Sequence, residues 1–208
     1  MERTVLFEVQ DKVALITLNR PERHNAICQD LLVNLYNYVD EVADNDEIRV
    51  AIITGAGKSF CSGIDLSVIG KEDLLNPRGD GKDLPDVLRP CKKPIIGAIN
   101  GNTITGSFEL ALNCDFLIAS ENARFTDSHA KIGIHPGWGM TQLLQQAVGL
   151  SEEYGIDHAG ISSRPAGTVI RYFASYRPFG TIIRFPLPRS TFDMSSFDTH
   201  GCAHLSAM

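Results

Sequence analysis

The stretch from Lys92 to Asp115 constrains the fold most, because a buried strand in it runs almost directly into a helix. Its Ile95–Ile99 part is a continuous apolar run, which is typical of a parallel strand covered on both faces. An Asn100-Gly101 turn and a polar loop follow, and from Gly106 the apolar residues recur at helical spacing. This order of elements predicts an α/β protein.

The start of this helix also carries two candidate catalytic groups. The first backbone N–H groups of a helix lack intrahelical partners, and glycine at position 106 lets a ligand oxygen approach them closely. Glu109 follows one turn later on the same face. An anion-stabilising amide beside an acid/base carboxylate is a catalytic arrangement. The alternative is an ordinary helix start with an acidic first turn.

Composition narrows the class of protein. The 208 residues suffice for one α/β domain, and a formal net charge of −6 argues against nucleic acid or an anionic membrane as the main partner. No apolar run has membrane-spanning length and no signal peptide is visible, so we predict a cytoplasmic protein, with mitochondrion and peroxisome left open. The five cysteines are odd in number and scattered along the chain, which predicts free thiols and no metal site. They are Cys28, Cys61, Cys91, Cys114 and Cys202.

Hydrophobic patterning predicts further elements on both sides of this stretch. Val5–Val9 and Val13–Leu18 form a hairpin, Gln29–Ala43 and Thr141–Val148 are helices, and Val50–Thr54 and Phe116–Ala119 are buried strands. The Gly-, Asp- and Pro-rich residues Ser67–Asp86 predict a mobile surface loop.

A second small-residue loop, Gly55–Leu66, follows a buried strand and exposes backbone N–H groups near Gly63-Ile64. Ligands of open α/β sheets bind beyond the carboxyl ends of the strands, so this loop and the Gly106 turn are expected at the same rim. Its Gly55-Ala56-Gly57-Lys58 portion lacks the spacing of a phosphate-binding P-loop.

Taken in order, these segments resemble the crotonase superfamily, the enoyl-CoA hydratase/isomerase family, over residues of about 13–150. The matching motifs are Asn19-Arg20-Pro21 with Asn25-Ala26, Phe60-Cys61-Ser62-Gly63-Ile64-Asp65-Leu66, Lys93–Gly101, Gly106-Ser107-Phe108-Glu109-Leu110-Ala111-Leu112, Cys114-Asp115 and Gly133-Ile134-His135-Pro136-Gly137. Each motif is weak alone, but the ordered set is specific.

The resemblance implies a repeated ββα spiral that assembles as a homotrimer or hexamer and binds acyl-CoA thioesters of fatty acid metabolism. In the family two backbone N–H groups hold the thioester oxygen as it becomes an enolate, and these positions fall on Ile64 and Gly106. Coenzyme A is part of the substrate, so no separate cofactor is implied. Arg20, Arg23 or Lys58 would meet its phosphates. The substrate-binding positions are Arg23, His24, Ala26, Ile64, Asp65, Leu66, Ser67 and Gly106.

The family's hydratases use two glutamates around an activated water. Glu109 matches the first, whereas His129 occupies the second position, which departs from the family pattern. Histidine transfers protons near neutral pH, so a trans-2-enoyl-CoA hydratase is the first hypothesis. Alternatively His129 is structural and Asp127 is the working carboxylate. Isomerases of the superfamily need a single carboxylate, so double-bond migration is the alternative reaction.

The resemblance ends at about residue 150, which divides the chain into a crotonase-like core, 1–150, and an atypical segment, 151–208. Lysine is absent after Lys131, and no helical periodicity replaces the family's usual C-terminal helices. A divergent segment is one explanation. An end altered by a frameshift, by splicing or by a gene-model error is the favoured one. An altered end makes a non-catalytic, altered paralogue the third functional hypothesis. It also weakens the expectation of a trimer, because the family's C-terminal helices contribute to the trimer interface.

Overall fold

The computed structural model describes residues 3–148 and 169–170. Its strands and α-helices, in chain order, are β1 (Val5–Gln10), β2 (Val13–Leu18), α1 (Gln29–Asp44), β3 (Val50–Gly55), β4 (Ser59–Cys61), α2 (Leu84–Leu88), β5 (Ile95–Ile99), β6 (Asn102–Ile104), α3 (Gly106–Leu112), β7 (Phe116–Ala119), β8 (Arg124–Thr126), α4 (His129–Ile132), α5 (Met140–Val148) and β9 (Val169–Ile170). Short 3-10 helices lie at Pro21–Arg23 and Leu66–Val68.

Three successive ββα units form the centre of the fold: β3-β4-α2, β5-β6-α3 and β7-β8-α4. In each unit the first strand joins a six-stranded sheet of order β1-β2-β3-β5-β7-β9, and the second joins a three-stranded sheet of order β4-β6-β8. All pairings between strands of different units are parallel. The predicted α/β class and ββα spiral are therefore confirmed.

The edges of the larger sheet are antiparallel. β1 and β2 form the predicted hairpin, and Asp11 and Lys12 at its tip both have positive φ angles, of 50° and 68°. This is the conformation that a tight two-residue hairpin turn requires. At the other edge β9 pairs with β7. The rest of the segment from 151 to 208 lies outside the described residues, including the expected loss of C-terminal helices.

Helix α1 covers the larger sheet. Its apolar residues recur every three or four positions, which places them on one face that contacts the sheet and α2. Tyr38 at the border of this face stacks on Phe7 of β1, with 4.7 Å between ring centroids. The fully buried residues of this face are Leu31, Leu32, Leu35, Tyr36, Val39 and Val42.

The two sheets meet closely where the first strand of a unit turns into the second. At Gly101, between β5 and β6, a Cβ atom would lie 2.0 Å from the carbonyl oxygen of Lys58. Only glycine allows this approach, which brings successive turns of the spiral into register.

The residues predicted as a mobile surface loop, Ser67–Asp86, form a more ordered connection than the sequence indicated. The helix α2 begins at Leu84 inside this range, and Leu84 is fully buried. Arg78 forms ion pairs with Asp40 of α1 and with Asp80. The polar composition of this segment did not indicate the contacts with α1, because the ion pair with Asp40 and the packing of α2 on α1 both join residues far apart in the sequence.

Among the described residues, no helix is both long and apolar enough to cross a lipid bilayer.

Candidate active site

Two loops that follow different strands lie side by side at one rim of the spiral. Ile27 and Ile64 form a parallel bridge, in which the amide of Ile27 donates to the carbonyl of Gly63 and the amide of Asp65 donates to the carbonyl of Ile27. A parallel bridge uses the backbone groups on either side of Ile64, here the Gly63 carbonyl and the Asp65 amide. The N–H of Ile64 itself is therefore directed to the edge of this segment that faces away from Ile27.

Gly106, the first residue of α3, lies at that opposite edge. A Cβ atom on Gly106 would be 3.4 Å from Cγ1 of Ile64, and one on Gly63 would be 3.7 Å from the amide nitrogen of Gly106. Gly63 has a φ of +88°, and its Cβ would clash with the carbonyl of Ile104, so the position requires glycine. Neither the Ile64 nor the Gly106 N–H has an acceptor among the described residues. The structure thus brings together the two predicted oxyanion donors.

Two hydroxyl groups hold the backbone around Gly106. Thr105 adopts φ 55° and ψ −111°, an unfavourable conformation for a β-branched residue, while its Oγ1 lies 2.5 Å from Oγ of Ser128. Ser107 is fully buried, and its Oγ lies 2.6 Å from the carbonyl oxygen of Cys61 and accepts from the amide of Ile104 at 2.7 Å. The end of β4 and the start of α3 are therefore tied together.

Glu109 is held in one orientation by backbone amides. Its Oε1 accepts hydrogen bonds from the amide nitrogens of Trp138 at 2.8 Å and Met140 at 3.1 Å, and the residue is only 2% exposed. These bonds leave Oε2 to face Nε2 of His129, at 3.4 Å. One carboxylate oxygen is thus fixed and the other is available for proton transfer.

His129 lies between two carboxylates. Its Nδ1 is 2.7 Å from Oδ1 of Asp127, which also accepts the backbone N–H of His129, and its Nε2 faces Glu109. Burial by itself lowers the pKa of His129, but the Glu109 and Asp127 carboxylates outweigh it, so the pKa lies above its ordinary value. The two carboxylates therefore favour the protonated imidazole more than water does.

The predicted substrate-binding positions lie along the two bridged loops, except for Gly106 at the start of α3. Arg23, His24, Leu66 and Ser67 are exposed, whereas Ala26, Asp65 and Gly106 are buried and Ile64 is half-buried. Arg20, a predicted phosphate contact, is instead engaged inside the protein. Its guanidinium lies 3.2 Å from the Asp65 carboxylate and donates to the Ala26 carbonyl at 2.5 Å. It therefore fixes the position of both loops.

The predicted site did not include several residues that position it. Asn25 is fully buried, accepts from the amide of Arg20 and donates to the carbonyls of Ala56, Ser59 and Phe60. Asn113 donates to the carbonyls of Glu109 and Trp138. The only sequence signal was that both are polar residues within or beside matching motifs. The partners Ser59, Phe60 and Trp138 are 25 or more residues away from them in the sequence.

Within residues 3–148 and 169–170, no group of three or more His, Cys, Asp or Glu side chains is arranged to hold a metal ion. Cys28, Cys61, Cys91 and Cys114 are free thiols, and Cys202 lies outside the described residues. Burial raises the pKa of Cys61 to about 12, so this thiol beside the site is not a nucleophile at neutral pH.

Comparison with known proteins adds to this geometry. A family model described as enoyl-CoA hydratase/isomerase matches residues 8–165, a wider range than the resemblance predicted. The chain is 43% identical over 143 residues to "Probable enoyl-CoA hydratase 1, peroxisomal" of Arabidopsis thaliana, covering 67% of this chain and 53% of that protein. It is 39% identical over 150 residues to "Short-chain-enoyl-CoA hydratase" of Clostridium acetobutylicum, covering 70% and 58%. The chain thus spans little more than half the length of these relatives.

Solved structures agree with the fold. The enoyl-CoA hydratase of Mycobacterium smegmatis aligns with a TM-score of 0.67 and 37% identity, covering 78% of this chain and 68% of that one. The enoyl-CoA hydratase/isomerase of Pseudoalteromonas atlantica aligns with a TM-score of 0.70 and 27% identity, covering 77% and 64%.

Proposed function

The chain belongs to the enoyl-CoA hydratase/isomerase family, and we propose that it adds water to a trans-2-enoyl-CoA thioester. The observation that carries the proposal is the pair of adjacent backbone amides, Ile64 and Gly106, next to the buried Glu109 and His129. Fixed dipoles aimed at a developing enolate oxygen contribute a few kcal/mol in a site from which water is excluded. Coenzyme A enters as part of the substrate, and the reaction needs no other cofactor.

Each step of the proposed reaction is assigned to particular protein groups. The Ile64 and Gly106 N–H groups bind the thioester oxygen and polarise the conjugated double bond. Glu109 Oε2 removes a proton from a water molecule, whose oxygen attacks the β-carbon while the electron pair moves to the thioester oxygen. The His129 imidazolium then donates its Nε2 proton to the α-carbon as the enolate collapses. Glu109 and His129 lie on the same side of the double bond in this proposal, so hydrogen and hydroxyl add from that side and give a syn product.

The separation of the two proton-transfer groups suits this chemistry. Oε2 of Glu109 and Nε2 of His129 are 3.4 Å apart. One water oxygen can lie about 2.8 Å from both atoms at once, because their separation is less than two hydrogen-bond lengths. Burial alone lowers the pKa of His129, but the Glu109 and Asp127 carboxylates raise it, which favours the imidazolium that the proposed reaction uses as its acid.

Hydration of crotonyl-CoA by the purified chain tests the proposal. We expect Glu109→Gln to lower kcat by about 10²- to 10⁴-fold, since it removes the base and keeps the shape of the side chain. The exposed Glu121→Gln variant is a matched control and should retain full activity. Undiminished turnover by Glu109→Gln contradicts the assignment.

Binding can be tested apart from turnover. Acetoacetyl-CoA forms an enolate that resembles the proposed intermediate, so calorimetric titration should show binding by both the wild type and Glu109→Gln. A folded sample that binds no acetoacetyl-CoA overturns the proposal that Ile64 and Gly106 form an oxyanion hole.

A second candidate function is enoyl-CoA isomerisation. The observation that favours it is that Oε2 of Glu109 lies on the Nε2 side of His129, whereas Oδ1 of Asp127 contacts Nδ1 and the backbone amide of His129. Double-bond migration requires one carboxylate that removes and returns a proton. A 3-enoyl-CoA substrate distinguishes the two reactions, because an isomerase converts it to the 2-enoyl thioester and a hydratase alone does not.

Assembly and location are also proposals. We propose a homotrimer or hexamer of this 22.8 kDa chain, and sedimentation analysis tests it, with a monomer or a polydisperse aggregate as the contradicting result. Aggregation would support an altered, non-catalytic paralogue. The names of relatives include a peroxisomal and a mitochondrial protein, so all three predicted compartments stay proposals, and imaging of the tagged chain decides among them.

A further inference from the structure

We propose that Asp127 is a positioning residue for the reaction, holding the His129 imidazole so that its Nε2 faces Glu109. This inference rests on the proposed hydratase function. It assigns to Asp127 a different role from that of a working carboxylate, because Asp127 contacts His129 at Nδ1, whereas Glu109 faces the other ring nitrogen.

The geometry gives Asp127 two contacts with the same residue. Its Oδ1 lies 2.7 Å from Nδ1 of His129 and accepts the backbone N–H of His129 at 2.9 Å. The backbone bond fixes the carboxylate at the start of α4. The side-chain bond then fixes the rotation of the ring, so the orientation of Nε2 does not depend on a bound substrate.

The chemistry follows from which nitrogen keeps its proton. A carboxylate accepts and does not donate, so Nδ1 must carry a hydrogen in both protonation states of His129. The proton that the ring gains and loses is therefore the one on Nε2, the nitrogen 3.4 Å from Glu109 Oε2. The same arrangement stabilises the imidazolium that donates to the α-carbon.

The loop that carries Asp127 is itself anchored to the oxyanion donor. Ser128, between Asp127 and His129, approaches Thr105 through its hydroxyl at 2.5 Å, and its amide donates to Thr105 Oγ1 at 3.3 Å. Thr105 immediately precedes Gly106. The proton-transfer groups and the Gly106 amide are thus joined through a few direct contacts.

The charged groups that act on His129 are few among the described residues. Glu109 approaches from α3 and Asp127 from the loop before α4, and both raise the pKa of the imidazole. Replacement of Asp127 by asparagine removes one of these charges. The new amide group can also donate to Nδ1, which would place the neutral ring's proton on Nε2.

The test compares the wild type with Asp127→Asn, and uses the exposed Asp46→Asn as a matched control. We expect Asp127→Asn to lower kcat for crotonyl-CoA by about 10- to 1,000-fold with little change in KM. The basic limb of its pH profile should move to lower pH, because a less stabilised imidazolium loses its proton earlier. A merely structural role lowers the active fraction and leaves this limb in place, and that result overturns the proposal.

Nitrogen NMR of ¹⁵N-histidine-labelled protein supplies a readout besides activity and needs no Asp127 variant. The chain has six histidines, and loss of one signal set in His129→Gln assigns the ring. We expect the neutral ring of His129 to carry its proton on Nδ1. We also expect the pKa of His129 to lie above its ordinary value. A neutral ring protonated on Nε2 overturns the role of Asp127, even if Asp127→Asn fails to fold.

These measurements also separate the inference from the proposed function. If neither the wild type nor Asp46→Asn hydrates crotonyl-CoA, the proposed function fails, and the tautomer of His129 alone decides the role of Asp127. If both turn over and Asp127→Asn shares their pH profile, the function stands and the positioning role is wrong.

Discussion

At the scale of single residues, buried polar side chains determine the local geometry of the site. His129 and Glu109 are 4% and 2% exposed, yet each makes contacts that fix a particular atom toward the other. In a poorly solvated environment such contacts are strong when complete and costly when one partner is removed.

The stability of the protein should depend on pH through His129. Its pKa is raised on folding, so the stabilisation is fully present below the unfolded value of 6.5 and is lost as pH rises through the folded-state pKa. We expect the difference in unfolding free energy between the wild type and His129→Gln to shrink as pH rises through this window. Urea titrations at several pH values measure it, and a difference that grows with pH contradicts the sign.

Ser107→Ala should lower the free energy of unfolding by about 1–3 kcal/mol, because buried groups that its hydroxyl satisfies lose their partner. These groups are the carbonyl of Cys61 and the amide of Ile104. Urea denaturation measures the loss. The partly exposed Ser62, whose hydroxyl makes only a 3.4 Å contact, supplies the control Ser62→Ala, and equal effects of the two variants would contradict the prediction.

At the scale of elements, helix α1 depends on a residue far from it in sequence. Its own N-cap residue, Cys28, makes no side-chain capping bond. Instead the carboxylate of Glu72 accepts the amide of Gln29 at 2.6 Å, and the Gln29 side chain donates to the carbonyl of Pro77. A negative charge at a helix N-terminus is favourable, so this connection stabilises the helix that covers the sheet.

Glu72→Ala is accordingly expected to reduce the free energy of unfolding by about 1 kcal/mol. Chemical denaturation followed by circular dichroism provides the measurement. The exposed Glu121 gives the matched control Glu121→Ala, which should change stability by less than about 0.5 kcal/mol. A stability unchanged by Glu72→Ala means that water replaces this cap without loss.

At the scale of the whole molecule, the candidate site is assembled from separate turns of the spiral. Residues 20–27 precede α1, Ile64 and Asp65 follow β4, Gly106 begins α3, and His129 begins α4. The Arg20–Asp65 ion pair, with side chains 17% and 10% exposed, joins the first two of these segments. Integrity of the fold and formation of the site are therefore linked.

Two arginines in one loop should respond differently to substitution. Arg20→Met leaves the largely buried Asp65 carboxylate without its ion-pair partner, so it should lower the unfolding free energy by about 1–3 kcal/mol. Arg23 is exposed, so Arg23→Met should leave stability unchanged and raise KM for crotonyl-CoA severalfold through loss of a phosphate contact. Steady-state kinetics with urea titration tests both, and an effect of Arg23→Met on stability alone contradicts its role.

The sequence was sufficient to predict the α/β class, the hairpin, α1, the buried strands and the start of α3. Each of these depends on local periodicity or on a turn residue such as Gly106. It was also sufficient for the family, because several motifs occur in a specific order. It did not reveal α2 at the end of the presumed loop, nor the ion pair of Arg20 with Asp65, since that ion pair and the packing of α2 on α1 both join residues far apart in the sequence.

By itself, the sequence determined which residue types follow which strands, and hence that two glycine-rich loops and Glu109 are candidates for one site. Only the tertiary structure decided that Ile64 lies against Gly106 and that His129 lies between Glu109 and Asp127. The physical reason is that periodicity reports which face of an element is buried. Distances between side chains on different turns of the spiral depend on how the sheets pack, which no local pattern encodes.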